Sequence, residues 1–166
     1  MLIITHTHER IARTIMGLRA QTREPRTITV AVDGDDARIE SEVRRAAAAI
    51  GRSVALVLRP RQSGSRRAQN RNNAVRSLLL RGIDEHADLI FFDGDCIPDP
   101  GAVAAHADAL GTHPLSLGSA IRLGEDQTGT LTDEWILGGG IASVLDPAQR
   151  RSSGRAHFQT RKRIVM

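Results

Sequence analysis

The apolar positions of this chain change period repeatedly, and the changes cut it into short alternating elements. Leu2-Ile3-Ile4-Thr5 is a brief apolar run that reads as a strand. Glu9 to Gln21 then places Ile11, Ile15 and Leu18 at helical spacing. Thr27 to Val32 alternates and is rich in β-branched residues, which gives a second strand, and Asp33-Gly34-Asp35-Asp36 breaks it. Arg38 to Ile50 reads as a helix, with alanine at 46 to 49 and Gly51 as the stop. Ser53 to Leu58 is a third strand, Pro60 to Ser65 a loop, and Arg66 to Arg81 a helix closed by Gly82. Ala87 to Phe92 is a fourth strand. Pro100 opens a helix whose body is Ala102 to Leu110, ended by Gly111. Leu115 to Leu123 reads as a further strand and Gly124 to Thr132 as a polar loop; Trp135 to Leu145, apolar around Gly138-Gly139-Gly140, fits neither period. Strands alternating with helices imply an α/β fold of Rossmann type: a mostly parallel sheet with helices on both faces.

Composition fits one core. The 166 residues are 40% hydrophobic and 25% charged, which is globular rather than disordered. No apolar stretch approaches the roughly 20 residues that span a bilayer. The start, Met1-Leu2-Ile3-Ile4-Thr5, lacks the basic opening and longer apolar segment of a signal peptide. Cys96 is the single cysteine, which excludes an internal disulfide and a multi-cysteine zinc site. These features favour the cytoplasm. Lysine and arginine total 23 against 19 acidic residues, yet Lys162 is the only lysine. Arginine forks suit phosphate oxygens, although a GC-rich coding sequence explains surface arginines as well. Arg150, Arg151, Arg155, Arg161, Lys162 and Arg163 crowd the end, with no acidic residue after Asp146. The reading is therefore a domain over 1–149 and a basic, solvated and mobile tail over 150–166, able to meet a polyanion such as nucleic acid.

Chemistry concentrates where the fourth strand stops. Leu89 to Phe92 runs into Asp93-Gly94-Asp95. Residues i and i+2 of a strand point the same way, so extended backbone would bring both carboxylates to one cation. Gly94 between them lets a phosphate or sugar approach. Hard oxygen ligands suit Mg²⁺ or Mn²⁺, with substrate phosphates completing the shell. The alternative is a plain surface turn. Thr5 to Arg10, Asp33 to Asp36 and Asp93 to Asp95 all follow strands, so a parallel sheet gathers them at one edge, where such sheets bind ligands. Asp33 suits a base N–H or a ribose hydroxyl, or else a turn or helix cap. Thr7 and Arg10 open the first helix, whose free N–H groups attract anions, or else serve as an ordinary cap and a solvated arginine. His6, His8, His113 and His157 are weighed as metal ligands against surface histidines, with His157 the one that a folded-back tail would bring over a ligand at that edge.

The order of these segments resembles family 2 glycosyltransferases. Ile3 to Arg10 is similar to the opening strand and Pro-Thr-x-Asn-Arg turn of that family. Val32-Asp33-Gly34-Asp35 looks like its Val-Asp-Asp-Gly segment. Gln69-Asn70-Arg71-Asn72-Asn73-Ala74 resembles its Ala-Arg-Asn helix motif, and Ile90 to Pro98 its Asp-x-Asp signature. The matches run in family order over roughly residues 2 to 110. The resemblance implies a GT-A-like fold and transfer of a sugar from a nucleotide-diphospho-sugar, most simply a UDP-sugar, to an acceptor, with inversion. It implies Mn²⁺ or Mg²⁺ at Asp95, Asp93 near the ribose or metal, nucleoside contacts from Thr7 and Asp33, and a phosphate or base contact from Arg71. Arg10 and the first-helix N-terminus join the phosphate contacts.

Departures qualify it. His6 replaces the family's usual proline and Glu9 its frequent asparagine. Gly138-Gly139-Gly140-Ile141-Ala142 looks like a reduced acceptor-side segment, and the acidic pair that normally follows it has no obvious equivalent. Asp133 and Glu134 are the acidic neighbours nearest to that role, but they precede the glycines. An inverting transfer needs a base for the acceptor's proton, so donor binding is the firmer expectation. A haloacid-dehalogenase-like reading of Phe92-Asp93-Gly94-Asp95 lacks its downstream lysine and acids, and Lys162 forms no phosphate loop. The other alternative is a non-catalytic nucleotide- or nucleic-acid-binding α/β module, although 2% aromatic residues leave few stacking platforms.

Overall fold

A computed structural model describes residues 1–34, 36–59 and 66–144. Its frame is β1 (Leu2–Thr5), α1 (Ile11–Met16), β2 (Ile28–Asp33), α2 (Ala37–Ile50), β3 (Val54–Arg59), α3 (Arg67–Leu80), β4 (Phe91–Asp93) and α4 (Ala102–Leu110). The short helices α5 (Glu125–Gly129), α6 (Asp133–Leu137) and α7 (Ile141–Val144) follow. The four strands form one parallel sheet in the order β3-β2-β1-β4. The chain moves outward from β1 to β3, then returns to place β4 on the other side of β1. The carboxyl ends of β1 and β4 therefore flank a topological switch point, where neighbouring connections leave in opposite directions and open a crevice.

The strand alternation sorts the core. Ile3, Ile28, Val30 and Val32 face the larger cluster, with Ile11 and Ile15 of α1, Ile39 and Val43 of α2, Val103 of α4 and Ile136 of α6. Leu2, Ile4 and Ala31 point the other way, onto Ala74 and Leu78 of α3. Helix α3 thus covers one face of the sheet, and α1, α2, α4 and α6 pack on the other. The Asn70, Ala74 and Leu78 stripe, at i, i+4 and i+8, is what α3 lays on the sheet; all three are buried.

The expected α/β architecture with a parallel sheet is present. Three details differ. No strand forms over Leu115 to Leu123; those residues are irregular, and Leu115 and Leu117 are exposed. Their apolar run is real, but no element packs over it among the described residues. As a result β4 is an edge strand of three residues rather than a buried one, and Phe91 is 42% exposed. The first helix is also shorter than its apolar spacing suggests. It begins at Ile11 and ends at Met16, and Leu18 is buried in turns beyond it. The polar stretch after Gly124 contains α5 instead of a loop throughout. The glycines at 138 to 140 are accounted for by packing: Gly139 takes φ +79°, and Gly140 lies so close to the Trp135 indole that a Cβ would enter the ring.

Candidate functional site

The carboxyl edge is assembled by hydrogen bonds that run between elements. Asp93 ends β4, and the chain turns at once. Cys96 N–H bonds to Asp93 O at 3.1 Å. The extended i, i+2 geometry expected for Asp93 and Asp95 therefore does not persist; a turn, not a strand, sets their relation. Gly94 sits between them, buried. Its N–H donates to Ile4 O at 2.7 Å, and its carbonyl accepts from Thr14 Oγ1 at 3.0 Å. A Cβ on Gly94 would meet Thr5 Cβ at 2.6 Å and Ile4 O at 3.1 Å. The glycine is there for close packing of β4 against β1, not for the approach of a ligand.

Helix α3 reaches this edge from the opposite face. Arg71 Nη2 donates to Asp93 Oδ1 at 3.3 Å. One residue earlier, fully buried Asn70 donates Nδ2 to Ala31 O at 3.0 Å. The N–H of Arg66 reaches Asp33 Oδ2 at 3.4 Å. Asp33, half-buried at the end of β2, and Asp93 at the end of β4 are thus both tied to α3. The loop after Asp95 is fixed by Gln21, whose Nε2 donates to Asp99 O at 2.7 Å and whose Oε1 accepts from Val103 N–H at 3.0 Å.

At the end of β1, Thr5 Oγ1 donates to Thr7 O at 2.8 Å, and Thr7 Oγ1 accepts from Glu9 N–H at 3.4 Å. Thr7 lies at the switch point but precedes α1 by several residues. Arg10 is the residue before α1, exposed, with no side-chain cap, and a six-residue helix offers little dipole for an anion. His8 Nδ1 meets Asp36 Oδ2 at 2.9 Å. Asp36 caps α2 through Arg38 N–H, and the paired Arg38 side chain is the main cause that holds its carboxyl down at about 2. His8 is therefore engaged with the α2 cap.

Cys96 reports the field. Its thiol is pushed up to about 11, first by burial and then by the negative charges of Asp95 and Asp93. The thiol is neutral at ordinary pH and a poor nucleophile. A pair of carboxylates on an exposed turn is the right chemistry for a hard cation. Among the described residues no group of three His, Cys, Asp or Glu is placed to hold a metal. The donor set therefore does not make an all-protein cage. It fits Mg²⁺ or Mn²⁺ bound through one or two carboxylates with phosphate oxygens and water supplying the rest.

The sheet edge brings together Thr7, Asp33, Arg71, Asp93 and Asp95. It does not gather Asp133 and Glu134. Asp133 Oδ2 accepts from Arg45 Nη1 at 2.6 Å, and Arg45 also holds Glu42. Arg45 lies eight residues beyond the start of α2, about 12 Å along its axis and away from the edge. Glu134 is exposed beside it. His6 is exposed and His113 half-buried after α4. Asp35, the 60–65 loop, His157 and the basic tail lie outside the described residues. Two concavities, of about 420 Å³ beside α2 and β3 and about 220 Å³ at the amino edge of the sheet, include none of the five gathered residues. Among the described residues the candidate site lies on the rim of the sheet and not in either concavity.

Sequence reasoning missed Thr14, Asn70 and Gln21, which hold the rim. Asn70 carried a signal: it sits in phase with Ala74 and Leu78 on the apolar stripe, where a polar residue needs a buried partner. No protein-family model matches the chain, and no curated protein matches it. No helix among the described residues is long and apolar enough to cross a membrane.

Proposed function

We propose that the chain is a nucleotide-diphospho-sugar-binding domain of GT-A type and that it transfers a sugar, with Mn²⁺ or Mg²⁺, to an acceptor. The observation that carries the reading is the gathering of Asp33, Arg71, Asp93 and Asp95 on one edge at the switch point of a parallel sheet. The division of labour follows from their chemistry. The metal, when bound, neutralises the diphosphate leaving group. Asp95 and Asp93 are its protein ligands. Arg71, already at Asp93, offers its remaining N–H groups to phosphate oxygens. Asp33 accepts from the base or ribose. Thr7 lines the nucleoside side.

Transfer also needs a proton acceptor, and Asp133 and Glu134, the pair that the resemblance offers, lie away from this edge. Asp133 is held by Arg45, which favours a second reading in which the domain binds the donor and catalyses no transfer by itself. Its basic excess and tail keep a nucleic acid or other polyanion as acceptor or partner.

A thermal-shift screen of nucleoside diphosphates with and without Mn²⁺ tests donor binding, because a ligand of the native state raises Tm with concentration. Metal-dependent stabilisation is the expected result. No shift with any nucleotide, with metal present, refutes the reading. Hydrolysis or transfer of the sugar from a stabilising donor then separates the enzyme from the binding module.

A further inference from the structure

At the side of the sheet opposite β4, the outer strand β3 is open. Among the described residues only β2 pairs with it. The carbonyl of Arg59 accepts from Gly34 N–H at 3.2 Å, on the β2 side. Backbone groups alternate along a strand, so the N–H and C=O of Val54, Leu56 and Leu58 point outward, away from β2. Outer strands are ordinarily blunted by shortness, a charge, a proline or a bulge. β4 has only three residues. β3 has six, and Val54-Ala55-Leu56-Val57-Leu58 contains no charge, proline or glycine. Its ladder to β2 runs unbroken from Val54 to Arg59, with no bulge. A continuous apolar run is the pattern of an interior strand, yet these residues are at most half-buried and Leu58 is 57% exposed. Beside the strand lies the concavity of about 420 Å³, walled by Val43 and Ala47 of α2 and by Val54 and Leu56 of β3. Val54 and Leu56 pack on the α2 side, and Leu58, two residues further on, points the same way. The strand thus carries an apolar groove at one end and an exposed leucine at the other.

We propose that β3 is the contact between two copies of this chain, paired antiparallel about a twofold axis at Leu56, so that the two sheets join into one. Such a contact must draw knob and groove from the same surface, and this strand supplies both. With Leu56 opposite its own counterpart, Val54 lies opposite Leu58 and Ala55 opposite Val57. Residues with outward backbone groups then face each other and exchange both hydrogen bonds. Opposed residues share a face, so Leu58 of each copy lies beside Val54 of the other and enters the groove at Val43 and Ala47. Every opposed pair is apolar, and beyond them Arg59 meets Ser53, so no like charges oppose. Centring the pairing on Val57 instead sets Arg59 against Ala55 and takes Val54 past the end of the other strand. Arg44 and Arg52, which also line the groove, are paired with Glu40 and Glu24, so charge does not favour an acidic peptide over a second copy. One short ladder and two filled grooves make a small interface, with a Kd of about 1–100 µM. The contact does not depend on the nucleotide reading.

Sedimentation equilibrium of the full chain from about 1 µM to about 1 mM, with amide exchange followed by NMR at both ends of that range, is the test. The mass should rise from one chain to two and no further. The amides of Val54, Leu56 and Leu58 should gain protection as it rises, whereas those of Ala55 and Val57, turned towards β2, are protected throughout. Leu58→Glu should weaken association about a hundredfold, since each dimer loses two buried leucines at about tenfold apiece. Leu58→Pro removes an outward N–H that β2 does not use, and should also abolish the dimer while leaving the circular dichroism of the dilute chain unchanged. A chain that stays monomeric at about 1 mM overturns the proposal. Protection of Val54, Leu56 and Leu58 in the monomer overturns it too, and assigns the edge to another segment of the same chain. Association that survives both variants, or that continues beyond two copies, overturns it and assigns the contact to another face.

Discussion

Arg71 on α3 donates to Asp93 at the tip of β4, so a helix on one face of the sheet grips the last residue of its edge strand. Both side chains are well exposed, at 40% and 57%, and such a pair contributes no more than about 1 kcal/mol. Its weakness suits the proposed role. A divalent cation bound at Asp93 would displace or share a contact that is easily surrendered, and would free the guanidinium for the phosphates that accompany it.

Asp95→Ala should abolish Mn²⁺-dependent binding of a nucleoside diphosphate and leave Tm of the free protein unchanged. Asp95 is exposed, and among the described residues it holds no hydrogen bond beyond a long contact with Cys96 Sγ at 3.6 Å. Equal affinity with and without metal, in wild type and variant alike, would sink the assignment.

Gly94→Ala should destabilise the fold. The new methyl group would press on Thr5 Cβ and the Ile4 carbonyl in a neighbouring strand that has no room to retreat. Overpacking of this kind costs about 1–3 kcal/mol, and at this chain length each kcal/mol lowers Tm by about 2–4 °C. A Tm equal to that of the wild type would show that the two strands separate freely at this point.

Cys96 should alkylate slowly at pH 8 and accelerate towards a midpoint near pH 11, because burial and two carboxylates disfavour its thiolate. Asp95→Asn removes one of those charges and should shift the rate–pH curve to lower pH, without restoring an ordinary thiol, since burial remains. Iodoacetamide kinetics across pH 7 to 11 measure both. An unshifted curve in Asp95→Asn would remove the electrostatic link between the two residues.

Asp36 should make the fold acid-sensitive. Its carboxyl is held at about 2 in the folded chain, below its ordinary value of 3.8, chiefly by Arg38. The carboxylate form therefore favours the native state above pH 4, and that contribution disappears as pH falls from 4 to 2. Denaturant midpoints of wild type and Asp36→Asn should differ at pH 6 and converge near pH 2. Parallel curves over that range would assign the acid response to other groups.

How much was legible follows from what each signal depends on. The strands β1, β2 and β3 and the helices α2 and α3 were readable because their patterns are local: Ile28, Val30 and Val32 alternate, and Ile39, Val43, Ala46 and Ile50 repeat along one helix face. The edge on which Asp33 and Asp93 meet was readable because a parallel sheet puts every strand's carboxyl end on the same side. Leu115 to Leu123 misled because an apolar run becomes a strand only when a neighbour offers a ladder, and none does here. The turn at Gly94 was invisible for a similar reason. Its cause is contact with Thr5 and Ile4, some ninety residues away in sequence. Asp133 was drawn to the site by resemblance, whereas its partner is Arg45 on the flank of α2.

The two backbone bonds of Gly94 carry a last consequence. With its N–H fixed to β1 and its carbonyl to Thr14 of α1, the turn between the two acidic residues has little conformational freedom left to lose. A loop that must be ordered on binding subtracts that entropy from affinity, while one already held by the scaffold does not. The rim presents its carboxylates on a rigid mount, so any selectivity of the proposed site for a cation and its phosphates would be written into the core that supports the turn and not only into the turn itself.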